Sequence, residues 1–141
     1  LPAGKVVDEL VTALDWLPTF AGLAGASLPA NPIDGHDVWP VITAGAPSPT
    51  RVFYYYARGR LEAIRFGRYK LLFNNRVRTP PIRPALYDLI ADPRETTDVS
   101  SEHPDDVAEL ERLADVIRHR LWDALLDIPG TETRPTGWFE G

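Results

Sequence analysis

The hydrophobic and polar positions divide the chain into three stretches of different periodicity. Residues 1–50 are apolar and interrupted by glycine and proline, whereas residues 51–90 contain runs and alternation typical of strands. Residues 101–128 repeat their apolar positions every three or four residues, which predicts one long helix. The pattern predicts an α+β fold: a short helical N-terminal segment, then an antiparallel sheet of three to four strands packed by a long C-terminal helix.

Two short helices are predicted in the first stretch. Asp15 is a good N-cap residue and a glycine follows the apolar run, which predicts a helix at about 15–24. A further turn or two of helix is expected between Asp37 and Gly45, after turn chemistry at 31–35.

The second stretch predicts the strands. Its clearest features are the aromatic run at 53–56 and the Gly67-Arg68 dipeptide, a link typical of a hairpin. The strands are predicted at 52–57, 61–66, 69–73 and 85–89.

The long helix is predicted to end at Pro129-Gly130, beyond which the chain lacks periodicity. Its apolar stripe is predicted to consist of Val107, Leu110, Leu113, Ile117, Leu121 and Leu125, with Glu109, Arg112, Asp115 and Arg118 on the polar side. We expect two parts of the chain: residues 1–50, and a subdomain over residues 51–141 that contains the sheet, the long helix and the tail.

Composition and charge narrow the functional classes. The 141 residues are 44% hydrophobic and 25% charged, as in globular proteins, and no apolar run approaches the ~20 residues of a membrane span. A soluble protein is expected, in a compartment that the sequence leaves open. The net charge of −5 argues against nucleic acid as the main partner, and the basic stretch Arg76-Val77-Arg78 is interpreted as a solvated loop.

Taken alone, the residues show no catalytic constellation. Cysteine is absent, and the three histidines form no metal-ligand pattern. In the polar turn at 34–37, a turn-stabilising role for His36 is favoured over a ligand role. The tyrosine run at 54–56, followed by Arg58 and Arg60, would suit stacking on a sugar or base, but a core role is favoured for the tyrosines.

Several short motifs follow one another along the chain: Gly4 to Val11, Leu14 to Thr19, Leu23 to Gly25, Ile33 to Val38, Ala63 to Leu71, Leu86 to Leu89, Asp92-Pro93 and Glu95. Their order resembles the sulfatase family near the end of its main domain and in its closing segment. The resemblance covers roughly residues 4 to 125, with Asp98 as a departure, since the family usually has asparagine there.

The resemblance implies sulfate-ester hydrolysis by an intact enzyme that uses a formylglycine and a calcium ion. The formylglycine arises in a Cys/Ser-x-Pro-x-Arg motif, which this chain lacks, and the nearest match, Ser48-Pro49-Thr50-Arg51, has the wrong spacing. Because Leu1 is not methionine, the chain is expected to be a piece of a longer product. The motifs present are interpreted as architecture: Asp15 as a helix cap, and Asp88, Asp92 and Glu95 as acceptors for loop amides.

Two functional hypotheses stay open, with an independent enzyme as the weakest third. In the first, the chain is a C-terminal sulfatase segment, inactive alone, whose partner is the N-terminal catalytic portion, in cis or in trans. Its candidate substrate-cleft residues are His36, Tyr55, Arg58 and Arg60, and neither a catalytic nor a metal-binding residue is assigned. In the second, the chain is a free-standing binding or assembly module. Without the main domain, residues 1–45 are expected to self-associate or to be partly disordered.

Overall fold

The chain divides into two units, Leu1–Arg51 and Val52–Gly141, in a computed structural model that describes residues 3–73 and 83–133. The basic stretch at 76–78 lies outside the described residues. Among those described, no helix has the length and apolar character needed to cross a bilayer.

The first unit is built from short helices. A 3₁₀ turn at Ala13–Asp15 leads into helix α1, Trp16–Ala24, and helix α2 spans Trp39–Ala44. Both α-helices end at a glycine in the left-handed conformation, Gly25 and Gly45, as their C-caps require. The two predicted helices are therefore confirmed.

The second unit contains one antiparallel sheet in the order β1-β2-β3-β4. Consecutive strands are neighbours, so each pairs with the one that precedes it in sequence. The four predicted strands are confirmed, within a residue at either end, as β1 (Val52–Ala57), β2 (Arg60–Phe66), β3 (Tyr69–Leu72) and β4 (Ala85–Asp88).

Helix α3, Pro104–Leu121, contacts β2 and β3 and closes the core on one face of the sheet. Cross-strand pairing aligns Ile64, Leu71 and Leu86 in one row, and all three are buried. This arrangement confirms the α+β fold class. The buried core consists of Leu61, Ile64, Leu71, Phe73, Leu86, Leu110, Ala114 and Ile117.

The predicted end of the long helix is wrong by several residues. The helix stops at Leu121, because Trp122 adopts a φ of 94° and the chain then turns back through a bridge between Asp123 and Ile128. Leu125 therefore lies outside the helical stripe.

The polar assignment of Arg118 is also wrong. Its side chain is buried, because the guanidinium pairs with the fully buried Asp123 and lies over the ring of Phe73. Helical periodicity could not reveal a carboxylate that follows the helix end.

Candidate functional site

His36 lies in the first unit, in the turn between α1 and α2. Its backbone N–H donates a 2.9 Å hydrogen bond to Oδ1 of Asp15, while its imidazole is half exposed, with Nδ1 3.9 Å from the same oxygen. The backbone of His36 therefore stabilises the turn, and the ring stays available to a ligand.

Asp15 is fully buried and organises this turn. Its other oxygen accepts hydrogen bonds from the backbone N–H of Thr12 at 2.7 Å and from the Thr12 hydroxyl at 3.0 Å. Asp15 occupies the N-cap position of α1, as expected. Its carboxylate bonds Thr12, in the capping box of the 3₁₀ turn, and His36, rather than an α1 amide. Gly35 permits the close approach, because a Cβ there would lie 1.9 Å from the carbonyl oxygen of Leu14.

Tyr55 lies in the second unit, on β1. Its register places it opposite Ala63, one position from the Tyr54–Ile64 pair that faces the core, so it lies on the sheet face opposite α3. The ring packs edge-on against Phe53 at 4.8 Å, and the ammonium of Lys70 lies 4.8 Å from its centroid. Lys70 also contacts Glu95 at 2.7 Å, so the aromatic and charged groups form one half-buried surface.

Arg58 and Arg60 flank Gly59 at the β1–β2 turn. Arg58 and Gly59 both have left-handed φ angles, 53° and 75°, which is the geometry of a type I′ hairpin turn. Among the described residues neither guanidinium has a salt-bridge or hydrogen-bond partner, and Arg58 is exposed. Two cationic side chains are therefore free to meet an anionic group.

The acidic loop after β4 is ordered by its own side chains. Asp92 accepts hydrogen bonds from the amides of Thr96 and Thr97, the latter bond being the main cause that lowers its pKa. Asp88 accepts from the amides of Ile90 and Ala91, and its hydrogen bond with Arg68 is the main cause that lowers its pKa. These acceptor roles match the sequence interpretation.

Glu95 departs from that interpretation. Its carboxylate accepts two hydrogen bonds from the Lys70 ammonium, so it joins the loop to the sheet. The partner lies on a strand 25 residues earlier, which sequence spacing could not show.

No nucleophile or metal site emerges from the described ranges 3–73 and 83–133. No group of three or more His, Cys, Asp or Glu side chains there could hold a metal ion. Ser48 is buried, and its hydroxyl contacts the carbonyl of Leu10 at 2.5 Å. The described residues therefore do not fit a calcium or formylglycine site.

The four candidate residues fall into two groups. His36 belongs to the first unit, whereas Tyr55, Arg58 and Arg60 share the β1–β2 hairpin of the second. Sequence reasoning overlooked Trp122, whose ring lies against Gly59, because the apolar repeat that continues to Leu125 placed this residue inside the predicted helix.

Curated proteins provide the first comparison. The chain is 40% identical over 76 residues to an arylsulfatase of Hemicentrotus pulcherrimus. This alignment covers 52% of this chain and 14% of that protein. It is 40% identical over 77 residues to human arylsulfatase A, covering 50% of this chain and 15% of that protein. The chain therefore spans about one seventh of the length of these relatives. No family model matches it.

Solved structures agree in fold. A crystal structure of Ps i-CgsB superposes with a TM-score of 0.66 at 27% identity, covering 94% of this chain and 28% of that one. The structure of BT4656 in complex with D-glucosamine-2-N,6-O-disulfate superposes with a TM-score of 0.52 at 26% identity, covering 74% of this chain and 23% of that one. The chain is therefore similar to sulfatases in sequence over about half of its length and in fold over most of it, which supports the resemblance to the C-terminal portion of that family.

Proposed function

We propose that this chain completes the fold of an intact sulfatase and forms part of the wall of its substrate cleft, without performing catalysis itself. The intact enzyme hydrolyses sulfate esters, and its formylglycine and calcium belong to the catalytic portion that this chain lacks.

The observation that carries the proposal is the apolar surface of α1. Within this helix only Pro18 and Thr19 are buried, whereas Trp16, Leu17, Phe20 and Leu23 are each at least 43% exposed. The rings of Trp16 and Phe20 stack on each other at 5.6 Å. A helix this apolar is stable when it is covered by a partner. Since the relatives are several times longer than this chain, the catalytic portion is the partner that we assign.

The cleft role falls to His36, Tyr55, Arg58 and Arg60. Their ring and guanidinium groups suit a sulfated ligand, because arginine binds tetrahedral oxyanions and aromatic rings stack on apolar ligand faces. In the assembled enzyme, alanine at each position should raise KM or change substrate preference. Unchanged kinetics in all four variants would exclude the cleft role.

Co-expression with a catalytic portion tests the completing role. The chain alone should not hydrolyse 4-nitrophenyl sulfate, whereas together with the catalytic portion of the Hemicentrotus pulcherrimus arylsulfatase it should co-purify and raise activity. Phe20→Glu should abolish co-purification, because it places a charge in the buried contact. Ile90→Glu, at a 73% exposed position of the second unit, is the control and should have no effect. Activity of the chain alone, or equal activity of the catalytic portion without it, would contradict the proposal.

Light scattering tests what α1 does without that partner. The isolated chain should self-associate, and Phe20→Glu should yield a monomer. A monodisperse wild-type monomer, with Trp16 and Trp39 shielded from quenchers, would contradict self-association through residues 1–45.

The alternative is a free-standing, non-catalytic binding or assembly module. The second unit favours it, because its sheet and α3 enclose a core of their own. A native product of about this size that is functional without a catalytic partner would support the alternative.

A further inference from the structure

The β1–β2 turn that carries Arg58 is held from outside by the loop that follows α3, residues 122–128. The amide of Ala124 donates a 2.8 Å hydrogen bond to the carbonyl of Gly59. The ring of Trp122 covers the same glycine so closely that an added Cβ would lie 3.0 Å from its Cζ3 atom.

This loop is itself anchored at a buried charge pair. Asp123 is fully buried and accepts hydrogen bonds from Nε of Arg118 at 3.1 Å and from the amide of Leu125 at 2.9 Å. The backbones of Asp123 and Ile128 are bonded to each other in both directions. The loop is therefore a fixed support.

Backbone strain is concentrated at this contact. Of the four described non-glycine residues with a left-handed φ, three belong to it: Arg58 in the turn, and Trp122 and Asp127 in the loop. Asparagine, aspartate or glycine is the usual residue at the Arg58 position of such a turn, and arginine is disfavoured there. The hydroxyl of Tyr56, two positions before Arg58, is also buried without a partner among the described residues. Strained, incompletely satisfied conformations persist where the surroundings enforce them, and they cluster at functional sites.

We infer that Trp122 is a positioning residue, which holds the β1–β2 turn so that the guanidinium of Arg58 is presented to the anionic group of the substrate. The inference rests on the proposed cleft role of Arg58. Trp122 acts through the turn and touches no substrate.

Amide hydrogen exchange in the 141-residue chain tests the positioning role and does not require an activity assay. Trp122→Ala should accelerate exchange about tenfold through local opening at two amides: that of Ala124, which donates to the Gly59 carbonyl, and that of Arg60, which pairs with Ala57 across the turn. Trp122→Phe should restore slow exchange, because it keeps an aromatic ring over Gly59. Leu126→Ala, at a 52% exposed position of the same loop, is the control and should leave those amides unchanged. Unchanged exchange in Trp122→Ala would overturn the inference.

A double-mutant cycle in the assembled sulfatase tests the link to substrate, with 4-nitrophenyl sulfate as the probe. Arg58→Asn keeps a turn-compatible residue and removes the guanidinium. It should raise KM about fivefold with little change in kcat, and Trp122→Ala should have the same effect. The KM of the double variant should be no higher than that of either single variant. Additive KM effects would overturn the inference. If Arg58→Asn left KM unchanged while Trp122→Ala loosened the turn, the proposed cleft role of Arg58 would be refuted instead, and the substrate link of Trp122 with it.

Discussion

The buried carboxylate of Asp15 accepts a 2.9 Å hydrogen bond from the backbone amide of His36, 21 residues further along the chain. The same side chain binds Thr12, so it joins the start of α1 to the turn that precedes α2. The contact is possible because Gly35 has no side chain to collide with the carbonyl of Leu14. Two motifs that look independent in the sequence are therefore one structural unit.

We predict that Asp15→Ala destabilises the first unit by about 3 kcal/mol, because it leaves the partly buried amides of Thr12 and His36 without their charged acceptor. Thermal unfolding, together with amide exchange at His36, measures the effect. Asp34→Ala is the matched control, since this exposed aspartate lies in the same turn. Equal losses in the two variants would contradict the prediction.

The two carboxylates that bind Arg118 differ in burial, which separates their contributions. Asp123 has a fully buried side chain, whereas that of Asp115 is 66% exposed. Asp123→Ala should lower the free energy of unfolding by about 3 to 5 kcal/mol, because it leaves a guanidinium that is only 9% exposed without its buried counter-charge. Asp115→Ala should lower it by less than about 1 kcal/mol, because exposed salt bridges contribute little to stability.

Denaturant titration of both variants checks this difference. A small loss of stability in Asp123→Ala, or similar losses of stability in the two variants, would show that Arg118 finds another partner in the folded state.

The stability of the second unit should depend on the ionisation of Asp98. Hydrogen bonds from the amides of Ser100 and Leu86 lower the pKa of this carboxyl below its reference value of 3.8. A lowered folded-state pKa stabilises the fold at pH values above the unfolded pKa, and this contribution is lost as the pH falls through the folded pKa. The ionised form of Asp98 therefore supports the loop between β4 and α3.

Asp98→Asn tests this dependence, because its amide oxygen can accept the same two bonds without the charge. The variant should have a lower Tm than wild type near neutral pH, and the difference should shrink as the pH falls below about 4. Asp8→Asn, at an exposed position of the first unit, controls for net charge. A Tm difference that stayed constant with pH would contradict the prediction.

Local signals predicted the elements well, because they act within a few residues. The two-residue Gly67-Arg68 link and the aromatic run at 53–56 predicted their strands, and Gly45 ended its helix as expected. The end of α3 was predicted wrongly, because the stripe extends to Leu125 although Trp122 has already left the helix. Trp122 instead lies against a distant hairpin, and periodicity cannot report such a contact.

The sequence by itself determined the α+β class, the order of the elements and the resemblance to sulfatases, since these depend on local patterns and on motif order. Only the tertiary structure revealed the partners of the buried charges: Asp15 with His36, Arg118 with Asp123, and Lys70 with Glu95. It also brought Trp122 against the turn of Arg58 and showed that α1 leaves its apolar side uncovered. These features depend on which distant segments pack together and on the burial that results, and no single segment encodes that information.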